Sequence, residues 1–123
     1  MSVNVMLVDD SAAVRLLARR ALSEAGFAVV EASDGVEAME ILQRSAPPID
    51  LVLTDLIMPR LNGIALGERL SKVSPDTPVL YMSGYIEALL TEDRIPEHSL
   101  LRKPFTPDRL VTAIANLLPS ECT

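Results

Sequence analysis

The sequence predicts an α/β fold in which five parallel strands form one sheet and helices cover both of its faces. Three observations support this fold class. The 123-residue chain is 49% apolar and 23% charged, which suits a globular domain with a hydrophobic core and excludes intrinsic disorder. Short apolar runs recur along the chain, and segments of helical period lie between them. Strand and helix therefore alternate five times, and right-handed crossovers then give a doubly wound parallel sheet.

Five apolar runs are predicted to form the strands. Short, nearly continuous runs of this kind are typical of strands that are buried on both faces of a parallel sheet. In chain order the runs cover residues 3–8, 28–30, 51–54, 79–82 and, more weakly, 100–101.

Apolar residues spaced three and four positions apart predict two helices in the first half of the chain. The first helix follows Ser11, ends before Gly26 and carries Val14, Leu17, Ala18, Ala21, Leu22 and Ala25. The second begins at Asp34, ends at the break over residues 45–48 and carries Val36, Met39 and Leu42.

The second half of the chain predicts three more helices of unequal clarity. One begins near Asn62 and Gly63 and carries Ile64, Gly67, Leu70 and Val73. Residues 85–97 hold only a short apolar stretch, so a short or irregular helix is expected there. The last helix has Thr106 as its N-cap and Pro107 in its first turn. Its apolar face comprises Leu110, Ala113, Ile114 and Leu117.

Charge and cysteine content restrict the classes of partner. Eleven basic and seventeen acidic residues give a net charge of −6, so we expect no direct binding to nucleic acid. No apolar run approaches the roughly 18 residues of a membrane span, and no targeting peptide precedes the first strand, so we expect no membrane contact by the chain itself. The single cysteine, Cys122, cannot form an internal disulfide, which predicts a cytoplasmic location.

Polar residues stand where the predicted strands end, at the sheet edge where ligands of such folds bind. If the first and third strands are neighbours, Asp9, Asp10 and Asp55 bring three carboxylates together there, and these repel each other unless a cation joins them. Magnesium suits carboxylate and phosphate oxygens, Lys103 offers a charge for an anion and Ser83 offers a hydroxyl. Each residue alone is also typical of an ordinary turn or surface position. Together they indicate a site for a phosphoryl group.

At these residues the sequence resembles the receiver domain of two-component response regulators, over essentially the whole chain. The motifs are Asp9-Asp10, Asp55-Leu56-Ile57-Met58-Pro59, Asn62-Gly63, Met82-Ser83-Gly84 and Lys103-Pro104-Phe105. The resemblance is strongest to the C-terminal receiver of hybrid sensor histidine kinases. It implies a flavodoxin-like (βα)5 fold with strand order 2-1-3-4-5. It also implies that residues 1–123 form a single receiver domain with a core of about residues 3–118.

The resemblance implies a role for each site residue. Asp55 is the phosphoacceptor, which takes its phosphoryl group from a histidine kinase or a histidine phosphotransfer domain. Asp10 and Asp55 bind Mg²⁺ or Mn²⁺ directly, Asp9 binds through water, and the backbone carbonyl of Ile57 is a further ligand. Lys103 pairs with the phosphoryl group and Ser83 donates a hydrogen bond to it, while the Lys103–Pro104 peptide bond is cis. Such a domain catalyses only its own phosphorylation and dephosphorylation, and homodimer formation is left open.

Two positions depart from the commonest receiver pattern. Leu100 stands where the family often has an aromatic residue that rotates on activation, so we expect switching to involve residues 85–90 instead. Ile57 stands where a polar residue can position water, and with Tyr85 it predicts slow hydrolysis of the acyl phosphate.

The start of the first helix is a candidate partner surface, because the family docks its kinase there. A helical wheel turns Leu16 away from the core and places Val14 and Leu17 nearer the site. We expect these three residues to contact the partner.

Three other functions compete with the phosphorylatable switch. A small phosphohydrolase would need an aspartate as general acid at the position of Ile57. A flavodoxin-like cofactor carrier would need a phosphate loop where Asp9 and Asp10 stand, and these would repel phosphate. A degenerate receiver could act as a phosphorylation-independent interaction module.

Overall fold

The computed structural model describes residues 3–44, 48–58, 60–84 and 95–118. Its strands are Asn4–Val8 (β1), Ala28–Ala32 (β2), Leu51–Asp55 (β3), Val79–Ser83 (β4) and Leu100–Arg102 (β5). Its α-helices over these ranges are Ala12–Glu24 (α1), Gly35–Gln43 (α2), Gly63–Val73 (α3) and Pro107–Leu117 (α4). A 3₁₀ turn, Glu97–Ser99, precedes β5. The helix predicted over 85–97 otherwise lies outside the described residues.

The strands form one parallel sheet in the order β2-β1-β3-β4-β5. Val8 pairs with Thr54 across β1 and β3, Asp55 with Met82 across β3 and β4, and Ser83 with Arg102 across β4 and β5. The predicted doubly wound fold and its strand order are therefore confirmed. The carboxyl ends of β1 and β3 are adjacent, so residues that follow these two strands meet at one edge.

Two hydrophobic clusters cover the two faces of the sheet. One joins α1 and α4 to strand residues that include Leu7, Leu53 and Leu80. The other joins α2 and α3 to the alternate strand residues, which include Met6 and Val52. Successive residues of a strand point to opposite faces, so each of the central strands contributes to both clusters. Burial on both faces explains why these strands are apolar without alternation.

Each helix begins at a capping side chain near the carboxyl edge of the sheet. Ser11 accepts a hydrogen bond from the amide of Val14, and Asp34, Asn62 and Thr106 cap the other three helices in the same way. Such caps satisfy amides that the helix leaves unpaired. The helix starts predicted from Asp34, Asn62 and Thr106 are confirmed. Among the described residues, no helix is long and apolar enough to cross a membrane.

The predicted apolar faces of α1 and α3 need correction. Leu17 is 68% exposed and Ala25 is the exposed C-cap, because the buried face of α1 is centred on Ala18, Ala21 and Leu22. Leu17 lies at the margin of that stripe, so it fits the apolar period without being buried. In α3 the terminal residue Val73 is 62% exposed, whereas Leu66, which was not predicted, is fully buried.

Candidate functional site

Three carboxylates converge at the carboxyl edge of the sheet. Asp9 and Asp10 follow β1 directly, and Asp55 ends β3. One carboxylate oxygen from each residue lies within 4.8 Å of the other two. This convergence follows from the pairing of β1 with β3, which carries the two strand ends to the same place. The three residues differ in exposure, since Asp9 is buried, Asp55 is partly buried and Asp10 is exposed.

Asp9 is 1% exposed, and both its carboxylate and its backbone amide have partners. Its Oδ1 accepts a hydrogen bond of 2.8 Å from the amide of Ser11. Its Oδ2 lies 3.4 Å from Nζ of Lys103. Its own amide donates to the carbonyl oxygen of Ala32 on β2. A buried carboxylate requires such partners, and they fix the Asp9 side chain in one orientation.

Lys103 supplies the positive charge that faces the carboxylates. Its Nζ lies 3.4 Å from Oδ2 of Asp9 and 3.4 Å from Oδ2 of Asp55. Lys103 follows β5, and its amide donates a 2.8 Å hydrogen bond to the carbonyl oxygen of Ser83 on β4. The Lys103–Pro104 peptide bond is cis. One ammonium group is therefore shared by two carboxylates.

Burial raises the pKa of the Asp55 carboxyl, and the nearby Asp9 carboxylate acts in the same direction. The Lys103 ammonium and the amide of Leu56 lower this pKa, but they do not cancel the effect of burial. The ionised form of Asp55 is therefore less favourable at this site than it is in water. A bound cation would stabilise the ionised form of Asp55.

Ser83 ends β4 beside the acidic cluster, and it is 1% exposed. Within the described part of the chain, its buried Oγ atom has no hydrogen-bond partner. A buried polar group without a partner costs about 1–3 kcal/mol. The hydroxyl is therefore free to bond to an oxygen atom that enters the site.

Gly63 allows α3 to pack against the backbone of Asp55. A Cβ atom at this position would collide with the carbonyl oxygen of Asp55 and would lie 3.0 Å from Cα of Leu56. The amide of Gly63 donates a 2.9 Å hydrogen bond to the carbonyl oxygen of Leu56. The sequence marks Asn62 and Gly63 only as a helix start, and the close approach that requires glycine is visible only in the structure.

The loop after β3 carries Ile57, whose side chain is 62% exposed. This exposure leaves a large apolar side chain two residues from Asp55. Tyr85 and residues 85–90, for which we predict effects on hydrolysis and switching, lie outside the described residues.

Arg15 on α1 is a site neighbour that the sequence does not reveal. Its Nη1 donates a hydrogen bond to the carbonyl oxygen of Asp9, and its Nε lies 3.4 Å from Oε1 of Glu31 on β2. No pattern in the sequence separates Arg15 from Arg19 and Arg20 on the same helix. The contacts of Arg15 depend on the packing of α1 beside β1 and β2, which the sequence of the helix does not reveal.

The start of α1 exposes two large apolar side chains. Leu16 is 56% exposed and Leu17 is 68% exposed, while Val14 is partly buried. The structure thus turns Leu16 away from the core, as the helical wheel predicts, and exposes Leu17 further than that wheel suggests.

The donor atoms of the acidic cluster suit a hard divalent cation. Asp9, Asp10 and Asp55 offer carboxylate oxygens alone, and their separation is compatible with ligands around one ion. Magnesium binds through one or two carboxylates, keeps several waters and bridges to phosphate oxygens. Soft ligands do not contribute to this cluster, so its chemistry favours Mg²⁺ or Mn²⁺ over zinc or copper.

Known proteins are similar to this chain in sequence and in fold. Residues 5–115 match the family described as the response regulator receiver domain. The sensor kinase CckA of Brucella abortus is 36% identical over 98% of this chain, and the response regulator receiver protein CpdR of the same organism is 32% identical over 93% of it. The crystal structure of a response regulator receiver protein from Sinorhizobium medicae superposes with a TM-score of 0.85 at 32% identity, covering 97% of this chain and 96% of that one.

These relatives differ in length. The chain spans 95% of CpdR but 13% of CckA. The match to a sensor kinase supports the likeness to a hybrid-kinase receiver, and the structural match confirms the flavodoxin-like fold. The activities and partners of the longer relatives are properties of those full-length proteins.

Proposed function

The chain belongs to the response regulator receiver domain family, and we propose that Asp55 is its phosphoacceptor. Receivers are signalling domains, so the chain is a signalling module rather than an enzyme of the ordinary kind. The phosphoryl donor in this proposal is a phosphohistidine of a histidine kinase or a phosphotransfer domain. The observation that carries the proposal is the convergence of three carboxylates and the Lys103 ammonium at one sheet edge.

The proposed chemistry is a transfer between two side chains. A carboxylate oxygen of Asp55 attacks the phosphorus atom, a phosphorus–oxygen bond forms, and the phosphorus–nitrogen bond to the donor imidazole breaks. The bonding electrons stay on the nitrogen, and the product is an acyl phosphate. Lys103 Nζ pairs with the phosphoryl oxygens, and Ser83 Oγ donates a hydrogen bond to one of them. This transfer depends on positioning and charge neutralisation, which these residues supply.

Asp10 and Asp55 would hold Mg²⁺ directly, Asp9 would act through water, and the carbonyl of Ile57 would be a further ligand. When bound, the ion supplies positive charge that offsets both the carboxylates and the phosphoryl oxygens. The three carboxylate oxygens that lie within 4.8 Å of one another support this assignment. Mn²⁺ has similar ligand preferences and would serve in the same place.

The partner in this proposal contacts Val14, Leu16 and Leu17. Exposed apolar side chains beside an acidic site suit the apolar face of a kinase or phosphotransfer helix. We expect Val14→Asp and Leu16→Asp to slow transfer from a phosphohistidine donor and to leave phosphorylation by acetyl phosphate unchanged. Equal transfer rates from the protein donor in these variants and in the parent would contradict this surface.

The remaining parts of the proposal concern the whole chain. Residues 1–123 form a single receiver domain, and the shared sheet with a core on each face supports this division. A cytoplasmic location and the lack of direct contact with nucleic acid or membrane stay predictions from the sequence. Homodimer formation stays open.

The deciding experiment is intact mass measurement after incubation with acetyl phosphate and Mg²⁺. We expect a phosphoryl adduct that requires Mg²⁺ and that is lost in the Asp55→Asn variant. A phosphorylated phosphotransfer domain is the second donor. Failure of both donors, in a protein that binds Mg²⁺, would favour the phosphorylation-independent interaction module. An adduct that persists in Asp55→Asn would show that another residue is the acceptor.

A further inference from the structure

We propose that Arg15 is a positioning residue for the acidic cluster, because it holds the peptide that joins Asp9 to Asp10. This inference rests on the proposed Mg²⁺ site. The guanidinium group of Arg15 contacts the backbone carbonyl of Asp9, whereas Lys103 contacts the carboxylate of Asp9. The proposed effect of Arg15 is to orient the carboxylate of Asp10.

The Arg15 side chain is fixed at two points. Its Nη1 donates to the carbonyl oxygen of Asp9, and its Nε lies 3.4 Å from Oε1 of Glu31. The side chain is 20% exposed. A guanidinium group is planar, so contacts at two of its nitrogens fix its orientation as well as its place.

Glu31 is itself held in place. It lies on β2, where it pairs with Leu7 of β1. Its second oxygen, Oε2, accepts a 2.8 Å hydrogen bond from Nη1 of Arg19. Glu31 therefore binds two arginines of α1, one at each carboxylate oxygen, and it offsets much of the charge of Arg15.

Asp10 needs this support more than Asp9 does. The Asp9 side chain is anchored by the Ser11 amide and by Lys103. The Asp10 side chain is exposed, so its direction depends on the backbone that carries it. The carbonyl that Arg15 holds belongs to the peptide preceding Asp10, and rotation of that peptide would swing the Asp10 carboxylate away from Asp55. Groups that orient metal ligands in this way typically change metal affinity by about 10–100-fold.

Positioning and simple electrostatics predict opposite results for the removal of Arg15. A positive charge near the cluster repels a divalent cation, so its loss alone would strengthen Mg²⁺ binding. Loss of the hydrogen bond to Asp9 would instead weaken binding, because Asp10 would be less well oriented. The sign of the change therefore separates the two effects.

The experiment compares Arg15→Met with Arg19→Met by Mg²⁺ titration, followed by NMR. Arg19 is a matched control because it lies on the same helix and pairs with the same Glu31 but has no contact with Asp9 among the described residues. We expect Arg15→Met to weaken Mg²⁺ binding by about 10-fold. Arg19→Met should change it by less than about 2-fold, since exposed ion pairs contribute little.

A second measurement needs no metal. The amide resonance of Asp10 should move in Arg15→Met, because the hydrogen bond to the adjoining carbonyl is lost, and it should stay in place in Arg19→Met. If Arg15→Met does not fold, Arg15→Lys replaces it. The lysine keeps the charge but cannot span both Asp9 and Glu31, so we expect weaker Mg²⁺ binding there too.

Three outcomes would overturn the inference. Mg²⁺ binding by Arg15→Met, or by Arg15→Lys in its place, that is as tight as in the parent would show that Arg15 does not position a ligand. An unmoved Asp10 resonance in the metal-free variant would show the same. A parent protein that does not bind Mg²⁺ would overturn both the proposed metal site and this inference, whereas a failure confined to Arg15 leaves the proposed function standing.

Discussion

The exposed side chain of Ile57 bears on how long Asp55 would stay phosphorylated. An apolar group at this position cannot hold the water that attacks an acyl phosphate. We expect Ile57→Asn to speed loss of the phosphoryl group about 5-fold, because a hydrogen bond of about 1 kcal/mol to the attacking water would then be available. The decay of the adduct mass after removal of the donor measures this rate. Ile57→Val is the control, and an equal rate in Ile57→Asn would show that this position does not limit hydrolysis.

Single residues of the site differ in how far the sequence predicts them. Asp9, Asp10 and Asp55 can be placed together because each follows an apolar run and the topology fixes where those runs end. Arg15 cannot be found in this way, because its acceptor is a backbone carbonyl and its second partner, Glu31, lies on another strand. Such contacts depend on the packing of α1 and leave no pattern in the sequence.

At the level of elements, Asp34 links the start of α2 to the loop after β3. Its Oδ1 accepts a 2.9 Å hydrogen bond from the amide of Glu37, and its Oδ2 accepts one of 2.7 Å from Nε of Arg60. Arg60 has a left-handed backbone with φ 66°. We expect Asp34→Ala to lower the free energy of unfolding by about 1 kcal/mol, since a helix cap is lost.

The pH dependence of this effect has a definite sign. The hydrogen bond from the Glu37 amide lowers the pKa of Asp34 below the ordinary value of about 3.9, and Arg60 adds to the effect. The ionised carboxylate therefore stabilises the fold above that ordinary value, and this stability is lost as the pH falls through the lower folded value. Urea unfolding should show the parent and Asp34→Ala converging below about pH 4. A difference in the free energy of unfolding that stays constant as the pH falls well below about 4 would contradict the role of the charge.

Gly67 of α3 leaves space for the hydroxyl of Tyr81 on β4. A Cβ atom at this position would collide with that hydroxyl oxygen. Alanine favours a helix over glycine by about 1 kcal/mol, yet we expect Gly67→Ala to destabilise the protein by about 1–3 kcal/mol because of this overlap. In a Tyr81→Phe background the hydroxyl oxygen is gone and the nearest ring atom, Cζ, lies 3.1 Å from the Cβ position, so the same substitution should be less destabilising. Thermal unfolding of the four proteins tests this, and equal effects in both backgrounds would rule it out.

The existence and start of the four described α-helices were predictable from the sequence, whereas their buried faces were less so. Asp34, Asn62 and Thr106 mark helix starts through local capping, which the sequence carries directly. Burial depends on what each helix covers, so Leu17 and Val73 satisfy the apolar period and are still exposed. Gly67 fits the same period, but the structure explains this glycine by the Tyr81 side chain on β4, which a Cβ atom at position 67 would overlap.

For the whole molecule, the proposed Mg²⁺ site predicts a stability that depends on divalent cations. The chain carries a net charge of −6, and three carboxylates lie within 4.8 Å of one another. We expect Mg²⁺ at 100 times its dissociation constant to add about 2.7 kcal/mol to the free energy of unfolding. Asp10→Asn should raise the Tm of the metal-free protein, because repulsion falls, and should abolish most of the gain from Mg²⁺. Circular dichroism with NaCl at equal ionic strength as the control measures both, and a full Mg²⁺ gain in Asp10→Asn would contradict the assigned ligand.

The strand order also has a consequence for the order in which the chain can fold during synthesis. All three carboxylates are complete once residue 55 has left the ribosome, and β1 already lies between β2 and β3 in the sheet. Lys103, the ammonium partner of Asp9 and Asp55, arrives only after the edge strand β5. Because parallel neighbours are joined over long stretches of chain, the sheet closes slowly and late. We expect the nascent chain to carry an acidic edge without its ammonium partner while residues 56–102 are made, and Lys103 to join Asp9 and Asp55 only when the final strand completes the sheet.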